Sequence, residues 1–146
     1  MQRRQFLKKA GLGVAAGAVA APALAQSQPQ IRWRMASSFP KSLDTLYGTA
    51  EQIASRVSKM TDGRFEIRIF AAGEIVPPLQ VLDAVQNGTV ECGQTASYYY
   101  IGKNPALAFD TALPFGMNCR QQNAWMYYGG GMALMRDMFR QYNIIN

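Results

Sequence analysis

Residues 31–146 are expected to form an α/β fold with parallel strands. Apolar residues switch between a period of two and a helical period, in the order β-α-β-α-β. The helical pieces between the strands are long enough to serve as crossovers, which favours parallel pairing. Apolar residues make up 49% of the chain, enough to fold around a core.

The first strand alternates Ile31, Trp33 and Met35 with Arg32 and Arg34, giving it one apolar face. It runs into the small-residue loop Ala36-Ser37-Ser38-Phe39-Pro40. Asp44 is the expected N-cap of a helix whose apolar stripe is Leu46, Tyr47, Ala50, Ile53, Ala54, Val57 and Met60. Asp62-Gly63 supplies the turn that ends it. A second strand sets Phe65, Ile67 and Ile69 against Arg64, Glu66 and Arg68. Pro77-Pro78 opens a short helix with Leu79, Leu82 and Val85 inward and Gly88 at its end. Val90 to Thr95 reads as a third strand.

Beyond it, Ala96 to Tyr100 enters a helical turn broken by Lys103-Asn104-Pro105, and Ala106 to Leu113 is expected to be a fourth strand. Residues 121–128 read as helix, interrupted by Gly129-Gly130-Gly131. Met132, Met135, Met138, Phe139 and Tyr142 form another helical stripe, read as core packing, with an adaptable partner surface as the alternative. Tyr142 to Asn146 reads as a strand just beginning, with no turn or cap after it, so the chain is expected to be truncated.

Residues 1–25 carry an export signal. Arg3-Arg4 precedes Gln5-Phe6-Leu7-Lys8, a twin-arginine pattern, and an uncharged run follows from Ala10 to Leu24. Ala23-Leu24-Ala25 is an A-x-A cleavage site, placing the mature start near Gln26 in the periplasm. The run is shorter than the ~20 apolar residues that span a bilayer, which disfavours an anchor. Residues 26–30 then form a polar linker.

The leader also explains the apparent basicity. The chain has 15 Lys and Arg against 9 Asp and Glu, but Arg3, Arg4, Lys8 and Lys9 belong to the leader and no acid does. The remainder carries 11 against 9, scattered without a patch, so nucleic acid is not expected as a partner. Histidine is absent, which removes the commonest general base and the commonest transition-metal ligand, and with them any Ser-His-Asp or Cys-His device. Cys92 and Cys119 match no metal or redox spacing; they read as two small buried thiols, with a disulfide as the alternative in an oxidising compartment. Gly129 to Gly131 lacks the lysine and the strand-to-helix context of a phosphate cradle.

Four segments in order carry a resemblance: Trp33 to Ser42, Gly88 to Gly93 with Ala96 to Lys103, Ala108 to Met117, and Asn123 to Gly131. Together they resemble the extracytoplasmic solute-binding proteins of TRAP transporters, closest to the branch that binds 2-oxo acids, lactate or related monocarboxylates. The resemblance implies a two-lobed periplasmic-binding-protein-like fold, of which this chain would be most of the first lobe, truncated before the second. It implies capture of a small organic acid for membrane components of a TRAP transporter. It also implies a metal ion bound with the ligand in full-length members, no cofactor held within this chain, and a homodimer only at full length. The substrate-pairing arginine and the metal ligands of the branch come from downstream and are not carried onto Arg120, Arg136 or Arg140. No catalytic device is evident, so an enzyme is not expected. The competing readings are a twin-arginine-exported enzyme or subunit, or a non-functional fragment.

In open parallel sheets ligands sit beyond the carboxyl ends of the strands. That rule selects Ser37, Ser38 and Phe39 after the first strand, and Ala96 to Tyr100 after the third, as the resemblance does. Ser37 and Ser38 can donate to a carboxylate or can simply bond the loop; Phe39 can wall a short carbon chain or pack on the first helix. Tyr98, Tyr99 and Tyr100 cannot all face the core, so at least one is expected to be exposed or to line a cleft, with Tyr99 and Tyr100 preferred as ligand contacts. Trp125, Tyr127 and Tyr128 are read as packing.

Overall fold

The computed structural model describes residues 30–111 and 113–146. The leader, with Arg3, Arg4, Phe6, Leu7, Ala23 and Ala25, and all of the linker except Gln30 lie outside the described residues. No helix among the described residues is long and apolar enough to cross a membrane.

Three parallel strands make the sheet, in the order β2-β1-β3. They are β1 (Ile31–Ser37), β2 (Phe65–Phe70) and β3 (Cys92–Gln94). Ile31 pairs with Phe65 and Ala36 with Phe70, while Met35 pairs with Cys92 and Ser37 with Gln94. Helix α1 (Asp44–Met60) connects β1 to β2, and a 3-10 turn (Pro78–Gln80) leads into α2 (Val81–Gln86) before β3.

Successive strand side chains point to opposite faces. Gln94 reaches the Leu46 carbonyl of α1, whereas a Cβ on Gly93 would run into Val81 and Val85 of α2. The two helices therefore cover opposite faces of the sheet. The α2 face is a buried apolar cluster of Ala36, Val81, Ala84 and Val90.

A second cluster joins Leu82 and Tyr100 to Leu107, Met135 and Phe139, and so draws the last third of the chain onto α2 and the tyrosine turn. That third contains α3 (Cys119–Tyr128) and α4 (Gly131–Arg140). Helix α3 opens with a capping box: Gln121 N–H donates to Asn118 Oδ1 and Asn118 N–H to Gln121 Oε1, both at 3.0 Å. Between the helices Gly130 takes a left-handed φ of 87°, and a Cβ on Gly131 would come within 2.7 Å of the Trp125 ring. These are backbone requirements of a tight helical corner.

The expected β-α-β-α-β order and parallel pairing are present, and the Met135–Phe139 stripe is core. Several expectations need correction. Leu43, not Asp44, occupies the cap position of α1, and no side chain caps it. Leu46, Ile53 and Met60 on α1, Ile31 and Trp33 on β1, and Leu79 are exposed; Val81 and Ala84, rather than Leu79, face inward from the Pro77-Pro78 segment. The third strand is only Cys92–Gln94.

No strand forms over Ala106–Leu113 among the described residues. Pro105 fixes a helical φ, the Asn104 side chain accepts from Ala106 N–H at 2.9 Å, and a 3-10 turn (Pro105–Ala108) results. Nor is Tyr142–Asn146 a strand. Asn143 turns left-handed at φ 56°, and Ile144 N–H folds back onto the Phe139 carbonyl at 3.2 Å, closing α4. Tyr127 and Tyr128 are exposed rather than packed. Cys92 and Cys119 are both free thiols; Cys92 is half-buried, which pushes it up to about 11, but Cys119 is exposed rather than buried.

Glu91 fixes the register at the start of β3. Its carboxylate accepts from Arg34 N–H and Nη2 at 2.7 Å each and from Nε at 3.1 Å. The Arg34 hydrogen bonds draw its pKa from 4.5 down to about 2. A depressed folded-state value stabilises the fold above the ordinary carboxylate range, and that contribution is lost as pH falls through the lower value. Melts of wild type and Glu91→Gln, from neutral pH downward, are expected to differ above pH 4.5 and to converge toward about pH 2. A pH-independent gap would refute this role. The groups are exposed, so the effect should also shrink with salt.

Candidate functional site

Parallel pairing puts the carboxyl ends of all three strands at one edge of the sheet. Ser37, Ser38 and Phe39 leave β1 there, and Thr95 with the 3-10 turn Ser97–Tyr100 leaves β3 beside them. Ser38 N–H donates to the Gln94 carbonyl at 2.8 Å, extending the ladder by one rung.

Two hydrogen-bonded chains hold this edge. In the first, the Ser38 hydroxyl donates to Pro78 O and to Thr95 Oγ1, each at 2.6 Å, sharing its proton between them. Thr95 Oγ1 and Tyr100 Oη share a 2.8 Å hydrogen bond that either hydroxyl can donate. Leu82 N–H completes the chain by donating to Tyr100 Oη at 3.1 Å. The chain links Leu82, Tyr100, Thr95, Ser38 and Pro78.

In the second chain, Phe39 N–H donates to Ser37 Oγ at 3.1 Å and Ser37 donates to Gln94 Oε1 at 2.8 Å. The other end of that amide, Gln94 Nε2, donates to the Leu46 carbonyl at 2.6 Å. The hydroxyls of Ser37, Ser38, Thr95 and Tyr100 are thus all engaged with other groups of the lobe. Ser37, Ser38 and Tyr100 are buried as well.

Of the six residues selected from sequence, the remaining three form an aromatic wall. Phe39 and Tyr99 have ring centroids 6.3 Å apart, and Tyr98 meets Tyr99 edge-on at 4.8 Å. Tyr98 is 42% exposed, whereas Tyr100 is only 2% exposed and belongs to the core. Burial, and then a hydrogen bond with Tyr98, raises the Tyr99 phenol above its ordinary pKa. The Tyr99 phenol stays protonated at neutral pH.

The lysines on these loops are neutralised. Lys41 meets Glu74, and Lys103 meets Asp83, each at 2.7 Å. The Lys41 hydrogen bond, followed by one from Ala71 N–H, lowers Glu74. Arg140, at the far end of the chain, is paired with Asp137. Among the described residues no cluster of three or more His, Cys, Asp or Glu could hold a metal ion, and the loop carboxylates Glu74 and Asp83 are committed to lysines.

A cavity of about 730 Å³ opens elsewhere, along β3, between Trp33, Val85, Val90, Cys92 and Phe139. It reaches Thr95 and Tyr100 from behind, but Phe39, Tyr98 and Tyr99 are not among its walls. The aromatic edge is the better candidate site because it sets an exposed Tyr98 and a half-buried Tyr99, both with phenol groups, beside a buried Phe39 at the strand ends.

Sequence reasoning did not single out Thr95, Gln94 or Asp110. Asp110 accepts from the Ser97 hydroxyl, and burial raises its carboxyl above the ordinary range. The available signal was the polar pair Gln94-Thr95 closing the segment read as the third strand.

Comparison with known proteins gives a consistent picture. Residues 36–146 match the model of the bacterial extracellular solute-binding protein, family 7. The chain is 53% identical, over 152 aligned residues, to a monocarboxylate 2-oxoacid-binding periplasmic protein of Nostoc sp.. That alignment takes in 100% of this chain and 42% of the relative, so the chain spans less than half of the relative's length.

A TRAP transporter solute-binding protein from Bordetella bronchiseptica, crystallised as a mixed-occupancy dimer with copurified calcium and picolinate, superposes with a TM-score of 0.77 at 57% identity. The match covers 81% of this chain and 35% of that one. A TRAP periplasmic solute-binding protein from Pseudoalteromonas atlantica with bound sodium and pyruvate gives 0.74 at 39% identity, covering 77% and 34%. The α/β architecture described above is the first-lobe architecture of these proteins.

Proposed function

The chain belongs to family 7 of the bacterial extracellular solute-binding proteins, and on that premise we propose that it is the acid-binding first lobe of a TRAP-type uptake system. Its full-length form captures a small monocarboxylate, of the 2-oxo acid or lactate class, and hands it to the membrane components of the transporter. The observation that carries this reading is the Phe39–Tyr99–Tyr98 wall at the strand ends, where the neighbouring hydroxyls are already engaged. Such a wall offers rings to a short carbon skeleton and phenol protons to a carboxylate or keto oxygen.

The lobe edge supplies no unpaired lysine and no metal cluster among its described residues. Its share of recognition is therefore shape and hydrogen bonding. Capture is non-covalent, by closure over the ligand, and leaves the ligand chemically unchanged. The protein acts in the periplasm after twin-arginine export and cleavage between Ala25 and Gln26; the family and the leader pattern both support this placement.

One preparation tests the reading. Full-length protein recovered from the periplasm is expected to begin at Gln26 and, in calorimetry, to bind at least one of pyruvate, lactate or a longer 2-oxo acid. Tyr99→Ala should weaken that binding by about tenfold or more, as loss of a buried aromatic anchor does. Binding restricted to sugars or cationic solutes would sink the monocarboxylate reading.

A further inference from the structure

The four residues of the Ser97–Tyr100 turn alternate in environment in an informative way. The two end residues are buried, Ser97 at 7% and Tyr100 at 2% exposure, while Tyr98 is exposed and Tyr99 half-buried between them. Each buried end is tied to a different part of the fold. The Ser97 hydroxyl donates to the Asp110 carboxylate, which comes from the segment before α3. The Tyr100 hydroxyl is held by Leu82 N–H at the start of α2 and by Thr95 at the end of β3. A 3-10 turn has poor hydrogen-bond geometry of its own, so anchors at its ends decide where its middle residues stand. Here the middle residues are the two phenols of the aromatic wall.

We propose that Thr95 and Tyr100 are positioning residues for ligand capture. The hydroxyl chain linking Leu82, Tyr100, Thr95, Ser38 and Pro78 sets the Tyr98–Tyr99 pair against Phe39 without itself touching ligand. This inference rests on the acid-binding role proposed for the wall. Two features make the chain suited to the task. Each hydroxyl in it bonds a partner on each side, so removing one breaks two contacts. The chain also crosses five segments, α2, the tyrosine turn, the end of β3, the end of β1 and the Pro78 turn, so the wall moves only if they move together.

The test uses the full-length protein with three readouts: pyruvate affinity by calorimetry, the tyrosine band in near-ultraviolet circular dichroism, and the melting temperature. Thr95→Val keeps the shape and removes the hydroxyl. It is expected to weaken pyruvate binding about three- to tenfold and to diminish the tyrosine band. Thr95→Ser restores the hydroxyl and is expected to restore both. Thr95→Val combined with Tyr100→Phe should fall short of the product of the single effects, because the two groups share one chain.

A Thr95→Val protein that melts earlier but keeps wild-type affinity and an unchanged tyrosine band would overturn the proposal, and so would failure of Thr95→Ser to restore them. If the unmodified protein binds none of the acids, the transport reading fails. The dichroism of Thr95→Val against Thr95→Ser then still decides whether the hydroxyl chain positions the tyrosines.

Discussion

Replacing Leu107 by alanine is expected to lower the unfolding free energy of the full-length protein by about 2–5 kcal/mol, the range for emptying a filled apolar site. Leu107 has no solvent exposure and sits between Leu82, Tyr100, Met135 and Phe139. It is contributed by the short turn behind Pro105, so the cavity would open where the last third of the chain meets α2 and the tyrosine turn. Neighbouring walls come from α2, the tyrosine turn and α4, and no single flexible element can collapse into the gap. Urea denaturation measures the loss, and Leu107→Met, which conserves volume, should keep it under about 1.5 kcal/mol. A Leu107→Ala loss below about 1 kcal/mol would mean that the cluster repacks freely and does not hold α4 in place.

Gly93→Ala is the second large effect. A Cβ there would stand 2.6 Å from Val81 Cγ1 and 3.0 Å from Val85 Cγ2, closer than carbon atoms can pack. Both valines lie on α2, so relief requires the helix to move off β3. Overpacking of this kind costs about 1–3 kcal/mol. The displacement has a functional side, because α2 begins next to the Leu82 N–H that holds Tyr100. Gly93→Ala should therefore weaken ligand binding as well as stability. Val81→Ala on the same background removes the nearest clash and should recover part of both. A neutral Gly93→Ala would show that α2 is not seated as tightly as these distances require.

The strands and the long helix were legible because their periodicity is enforced along many residues. Ile67 and Ile69 alternate with Glu66 and Arg68, and no other structure satisfies that pattern as well. Expectations failed where one local group outweighed a run of apolar residues. Asn104 and Pro105 turn an apolar stretch into a 3-10 turn, and Asn143 converts an apparent strand start into a helix stop. Exposure was also misread for Leu46, Ile53 and Met60. A stripe shows which way a helix can face, but not how much of it finds a neighbour.

At the candidate site the location was readable and the division of labour was not. The strand-end rule located the Ser37–Phe39 loop and the three tyrosines. Which hydroxyls are engaged depends on partners 5 to 57 positions away in sequence, such as Thr95 for Tyr100 and Gln94 for Ser37. Nothing local to Ser37 or Tyr100 announces those contacts.

The Gln94 side chain, described above as a link between Ser37 and Leu46, has a consequence for how a closing jaw would behave. Freezing a rotamer-rich side chain on association costs about 0.5–1.5 kcal/mol. Gln94, Ser37, Ser38, Thr95 and Tyr100 are already held by hydrogen bonds within the folded lobe. Their conformational entropy is surrendered during folding, once, and not again with every molecule captured. A lobe built this way works as a preset anvil: on this side, the disorder still to be lost on each capture belongs chiefly to Tyr98, Tyr99 and the ligand itself.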